Sequence, residues 1–279
     1  MTMSDKYPES SGRRRFVKGV VGSAGVAGIG TAGVASLDTV TNQTGTGGGQ
    51  TTYFGVQNTG GPAPRAMPMV PIEIDDEGYL RGVYPEIQEV EQQGETVQVA
   101  RQDLGGITYE VDWFQYCGIQ DYQGLQPSYE GDNYFRYSGG SSAYEWQPGS
   151  GQVHVDDFED YETWDNQYGE AGIGKPASVT WRSQETDNSI PVQVIRSTLL
   201  EDAVEQASGQ VGEWLDAATQ DGFMAFLNKC THYCCVPGYR SSNYEGAGDK
   251  IYCACHQSIY DPYSIVKRSF TAYPRPEDG

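Results

Sequence analysis

Cys230-Thr231-His232-Tyr233-Cys234-Cys235, followed after a short excursion by Cys253-Ala254-Cys255-His256-Gln257-Ser258-Ile259-Tyr260, is the stretch on which the reading of this chain turns. Five of the six cysteines and two of the three histidines of the 279-residue sequence fall within it. As spacings it reads C-x-H-x-x-C and then C-x-C-H-x-S-x-Y. Two thiolates and two imidazoles are the ligand set of a [2Fe–2S] cluster in which sulfur holds one iron and ring nitrogen the other. A Cys2His2 zinc site instead separates its paired ligands by two or more residues and takes both histidines from one segment. Here each loop supplies one Cys and one His, with only Thr231 inside the first pair, which suits a loop tip folded over one end of a flat cluster. Disulfides beside incidental histidines give no reason for C-x-H to accompany C-x-C-H.

The segments that lead into these loops have the pattern of strands. Val179 and Trp181 alternate with polar residues, as do Ile190, Val192 and Val194, and Thr186-Asp187-Asn188-Ser189 between them supplies turn chemistry for a hairpin. Phe223 to Leu227 predicts a strand delivering Cys230, and Ile251-Tyr252 one delivering Cys253. Thr198-Leu199-Leu200-Glu201 has capping-box form and predicts a helix running toward Leu215. His154 lies outside the ligand loops and reads as an ordinary hydrogen-bonded or surface histidine.

Acidic residues outnumber basic ones 38 to 18, for a net charge of −20. Such a surface suits high salt, where screening relieves self-repulsion; the rival reading is an acidic face for a basic partner such as a cytochrome. The acidic residues are dispersed through 73–279, which favours adaptation of the whole surface. Nucleic-acid binding is disfavoured, because the one basic cluster is Arg13-Arg14-Arg15 with Lys18.

That cluster belongs to residues 1–37, which read as an export element. Arg13-Arg14-Arg15-Phe16-Val17-Lys18 resembles a twin-arginine signal, and Gly19 to Leu37 is charge-free and rich in Gly, Ala and Val. Cleavage after Ala35 or retention as an uncleaved anchor are both compatible with it. Residues 38–65, rich in Gly, Thr, Asn and Gln, predict a flexible tether, serving either a swinging head or a passive spacer. Residues 66–150 read as a Tyr- and Gly-rich β extension, with strands over Val97 to Ala100 and Ile107 to Val111.

The two ligand loops resemble the cluster-binding loops of the Rieske iron–sulfur proteins of quinol–cytochrome oxidoreductases, and the likeness runs from about Val153 to the end. It implies an all-β fold: an antiparallel β-sandwich with a small cluster-binding subdomain, to which this sequence adds one inserted helix and the N-terminal signal or anchor. It also implies one [2Fe–2S] cluster held by Cys230, Cys253, His232 and His256, with the two histidines facing quinol and His256 foremost. Cys235 and Cys255 match the disulfide tying the loops together. Ser258 and Tyr260 match hydroxyls that hydrogen-bond the cluster's sulfur, and Pro274-Arg275-Pro276 resembles the proline loop covering its far side. The family usually has Gly where this chain has Cys234, which leaves Cys234 as a rival partner for Cys255, a free thiol or a partner for Cys117.

By the same resemblance the chain is an electron-transfer subunit on the extracellular face of the cytoplasmic membrane. Its partners would be a cytochrome b-type membrane subunit, quinol and a downstream cytochrome or copper protein, in a halophilic respiratory chain. The redox activity belongs to the whole complex. Replacing two thiolates by neutral imidazoles raises the potential to roughly −150 to +300 mV, and the outer nitrogens of the ligating histidines offer a place for a proton. A Rieske oxygenase needs a separate mononuclear iron with two further histidines, and only His154 remains. The small subunit of an exported oxidase of the arsenite-oxidase type is the alternative, and a colourless zinc domain is the non-catalytic one.

Overall fold

The computed structural model describes residues 49–92, 95–114, 117, 133–140, 143–184 and 190–272. Strand β1 (Gly49–Gly60) occupies much of the predicted tether and pairs antiparallel with the last strand, from Gly49 opposite Ala272 to Gly60 opposite Ile259. The tether reading is corrected here for residues 49–60; residues 1–48 lie outside the described residues. Average composition concealed the cause, which is that Tyr53, Phe54 and Val56 within this polar stretch are all buried. Burial of these three side chains anchors the strand once the last strand supplies its ladder.

Nine strands form one curled antiparallel sheet. Besides β1 they are β2 (Met67–Val70), β8 (Arg136–Tyr137), β9 (Lys175–Trp181), β10 (Ile190–Arg196), β11 (Phe223–Leu227), β12 (Gly238–Tyr239), β13 (Ile251–Cys253) and β14 (Ser258–Ala272), in the spatial order β12-β13-β14-β1-β2-β11-β10-β9-β8. The short β2 is the corner. Its Met67 and Pro68 pair with β1, and its Met69 and Val70 with β11. Pro68 has no N–H to give a ladder, and it sits where the strand changes partner. Around the sheet lie the hairpin of β3 (Ile72–Ile74) with β4 (Leu80–Gly82), and a three-stranded ribbon of β5 (Ile87–Gln92), β6 (Glu95–Leu104) and β7 (Ile107–Glu110). The strands predicted over Val97 to Ala100 and Ile107 to Val111 are thus present, as are the pairing of Ile190 with Trp181 and the strands at Phe223–Leu227 and Ile251–Cys253. The Thr186–Ser189 turn lies outside the described residues.

An all-β architecture is therefore observed, but the boundary near Val153 needs correction. Residues 66–150 do not stand beside a domain that starts near Val153; they supply β2 and β8 to the same sheet and Trp113, Phe114 and Phe135 to the same core. Trp113 meets Trp214 at 4.9 Å and Tyr53 at 6.1 Å between ring centroids, while Phe114 packs edge-on to Trp181 at 5.6 Å. With both sheet faces covered, all five residues of β11 are buried, so strict alternation is not needed there.

The single inserted helix is in fact two, α1 (Thr198–Gln206) and α2 (Gly209–Ala218). Ala207 and Ser208 are extended, and Gly209 has φ 61°, so the first helix cannot run on. The N-cap is Ser197, whose hydroxyl accepts from the Leu199 N–H at 3.1 Å, one residue earlier than the capping-box pattern placed it. Trp214, Leu215 and Ala218 of α2 are buried, and Trp214 stacks on Phe54 at 5.3 Å. Among the described residues no helix is long and apolar enough to cross a membrane.

Candidate metal centre

The end of β11 and the β13–β14 hairpin bring the two loops together. The first closes on itself through Cys230 N–H to Cys235 O at 2.8 Å and Cys234 N–H to Cys230 O at 2.9 Å. The second is a tight turn between Cys253 and Ser258, which are paired across the hairpin, with Gln257 N–H donating to Cys253 O at 2.9 Å. A disulfide between Cys235 and Cys255 ties the loops, the pairing that the resemblance implied. Cys234 bonds to Cys117, which resolves the open choice. Cys234 has φ 62°, in the left-handed region that favours glycine, and Cys117 has φ 59°. The covalent link holds a turn that a Cβ disfavours, and it attaches the first loop to the 66–150 part of the chain.

Two cysteines remain as thiols, Cys230 and Cys253, and both are buried. They face one another: the Cys253 thiol hydrogen-bonds the Cys230 sulfur and, with the Tyr260 and Ser258 hydroxyls, holds the Cys230 thiol well below its ordinary value, while Cys253 is pushed up by the same contact. Backbone N–H groups of Cys255 and His256 point at the Cys253 sulfur and that of His232 at Cys230. The environment therefore favours one thiolate, on Cys230. Cys253 also lies close to Cys235 and Cys255, but those two are bonded to each other, so the trio has only one thiolate to offer a metal.

The two imidazoles sit together, their centroids 4.8 Å apart and their planes at 85°. His232 is half-buried and His256 exposed. His232 Nδ1 is buried without a hydrogen-bond partner, while the buried Ser258 hydroxyl lies beside the Cys230 sulfur and helps hold that thiol down. Leaving an atom such as His232 Nδ1 unsatisfied costs about 1–3 kcal/mol, so finding it on the loop that carries a buried thiol marks a place shaped for another group. A ring lone pair that faces inward suits a metal, and a hydroxyl beside a sulfur suits a ligand that carries negative charge. Cys230, Cys253, His232 and His256 thus fit a centre with mixed sulfur and nitrogen donors, and the donor chemistry admits iron–sulfur or zinc.

Tyr260 is fully buried and ties the first loop down. It donates to Cys230 Sγ at 3.3 Å and accepts from Thr231 N–H at 3.1 Å. Burial and the neighbouring Cys230 sulfur push its phenol up, so it stays protonated and able to donate. Thr231 in turn donates its hydroxyl proton to Arg65 O at 2.7 Å.

That last bond exposes a part of the site that sequence reading missed. Gly61-Pro62-Ala63-Pro64-Arg65, assigned to the tether, lies against both loops. Arg65 is bonded to Thr231, Ala63 O accepts from Asn58 Nδ2 at 2.8 Å, and a Cβ on Gly61 would come within 2.3 Å of Gln257 O. Pro274-Arg275-Pro276, named for the covering role, lies outside the described residues. The available signal was a second P-x-P, Pro62-Ala63-Pro64, bounded by Gly60-Gly61.

His154 has no part in this site. Its Nε2 lies 2.7 Å from Glu77 O and its Nδ1 accepts from Asp156 N–H, capping the 3-10 turn Val155–Phe158. Comparison of the chain with protein-family models, curated proteins and solved structures found no match.

Proposed function

We propose that the chain is a Rieske-type electron-transfer subunit: it holds one [2Fe–2S] cluster and accepts electrons from quinol in a membrane complex with a cytochrome b-type subunit. The observation that carries this reading is that one pair of loops holds two buried thiols in mutual contact and two imidazoles 4.8 Å apart, with His232 Nδ1 buried and unpartnered. Cys230 and Cys253 would hold one iron, His232 and His256 the other. When bound, such a cluster supplies one-electron chemistry at a raised potential.

The protein's own residues do the rest. The β11 strand and the β13–β14 hairpin hold the loops in register, and the Cys235–Cys255 disulfide keeps the two histidines side by side. Tyr260 and the N–H groups aimed at the sulfurs favour added negative charge. Gly61–Arg65 covers one flank and excludes water, and the exposed edge of His256 is left as the approach for a donor. The twin-arginine-like Arg13-Arg14-Arg15 and the charge-free Gly19 to Leu37 support export to, and anchoring on, the extracellular face of the membrane, where both disulfides persist. The electron would pass on to a cytochrome or copper protein.

Electron paramagnetic resonance of membranes carrying the protein, reduced with and without a quinol-site inhibitor, tests this reading. A rhombic signal that shifts with the inhibitor, and copurification of a b-type cytochrome, are the expected results. A colourless, zinc-loaded protein overturns the proposal, and copurification of a molybdenum-containing large subunit reassigns the complex to the exported-oxidase type.

A further inference from the structure

Among the described residues four large apolar side chains are exposed, Tyr168, Tyr233, Val236 and Tyr244, and three of these lie between Cys230 and His256. With 38 acidic residues in the chain, carboxylates are plentiful for a solvated surface. Of these four, Tyr244 is stacked on Tyr252 at 5.2 Å, whereas Tyr233 keeps the largest share of its surface open.

Tyr233 has the most particular position. It is 68% exposed, yet its ring meets His232 at 4.4 Å and 74° and crosses to His256, on the other loop, at 5.1 Å and 36°. Its inner side touches both imidazoles while most of the ring stays open. Because His232 Nδ1 is buried, the opposite edge of that imidazole points outward. A flat molecule resting on the open part of Tyr233 would therefore lie beside the outward edges of both histidines. Tyrosine suits this task, offering a large rigid surface at small entropic cost, with a hydroxyl at its tip.

We infer that Tyr233 is the aromatic platform that seats the planar ring of the electron donor, and so is a specificity-determining residue for quinone-like rings over non-aromatic reductants. This deepens the proposed function and rests on its assignment of a quinol donor.

The test is calorimetric titration of the oxidised, cluster-loaded protein with tetramethyl-benzoquinone, whose fully substituted ring does not add thiols. Tyr233→Ala and Tyr233→Leu are expected to weaken binding about three- to tenfold, and Tyr233→Phe to retain most of it. The rate of reduction by dithionite and the paramagnetic resonance spectrum should be unchanged in all three. Absence of quinone binding by the wild type, binding within twofold of wild type in Tyr233→Ala or Tyr233→Leu, or an equal loss toward dithionite overturns the inference. A protein that carries a cluster but binds no quinone refutes the platform alone. A protein without a cluster refutes the proposed function and the platform with it.

Discussion

Tyr260→Phe removes one hydroxyl and keeps the ring, and its consequence can be worked from two contacts. The hydroxyl donates to Cys230 Sγ at 3.3 Å and accepts from Thr231 N–H at 3.1 Å. In the cluster-loaded protein the first bond strengthens when an electron arrives, because added negative charge is shared with the ligating sulfur. A differential worth of about 1 kcal/mol corresponds to roughly 40 mV in a one-electron couple, so the potential should fall by about that amount. Ser258→Ala should lower it by a similar amount, because the Ser258 hydroxyl is fully buried beside the Cys230 sulfur and favours its thiolate; both hydroxyls act on the same sulfur, so the double variant should fall by less than the sum of the two shifts. Protein-film voltammetry reads both. Loss of the acceptor for Thr231 N–H should also cost about 1–3 kcal/mol of stability, seen in urea unfolding. Unchanged potentials in both variants, or an upward shift in either, would refute the reasoning even if stability fell as expected.

Three further outcomes follow from the same structure. Gly61→Ala should destabilise the protein by about 2–4 kcal/mol and disturb the cluster spectrum, since its Cβ would meet Gln257 O at 2.3 Å and Ser258 Cα at 2.6 Å with φ at +74°; Gly246→Ala, at φ +78° with nothing within 4 Å, should cost only about 1 kcal/mol. Cys117→Ser, which opens a link between residues 117 apart in sequence, should cost about 2–5 kcal/mol in non-reducing urea unfolding; adding Cys234→Gly should recover about 1 kcal/mol by relieving the left-handed cysteine. Asp75 is held below its ordinary 3.8 chiefly by the Tyr79 N–H, with help from the Tyr134 hydroxyl and the Glu77 N–H. Because its folded value is the lower one, its stabilising contribution is full above the unfolded value and is lost as pH falls below about 4. The acid-unfolding curve, followed by circular dichroism, should flatten in that range in Asp75→Ala, and an unchanged curve would remove Asp75 from the account.

Much of the candidate site was legible because ligand chemistry is local. Cys-x-His and Cys-x-Cys-His place donors on single loop tips, and the strands that deliver them, Phe223–Leu227 and Ile251–Cys253, are short runs of apolar residues that need no distant partner to be recognised. The sequence also left Cys234 poised between partners, as it had to, since pairing depends on which Cα atoms come close in space. Reading failed where an element is defined by what packs on it. Gly49–Gly60 reads as a linker by composition, but a fifteen-residue strand 200 positions later gives its backbone a ladder. The helix broke at Ala207-Ser208, where the pattern offered only a modest stop.

Taken alone, then, the order of residues determined the candidate donor residues, the cysteine-bearing loops, the acidic composition and the predominance of strands, because each of these is set by side chains close along the chain or by totals over it. Only the tertiary structure decided that β1, β2 and β8 belong to the same sheet as the strands that carry the loops, that Cys117 reaches Cys234, and that Gly61–Arg65 lies against the site. The physical reason is that hydrogen-bond ladders, close backbone approach and core packing reward contacts between residues far apart in sequence, and no local window contains both partners.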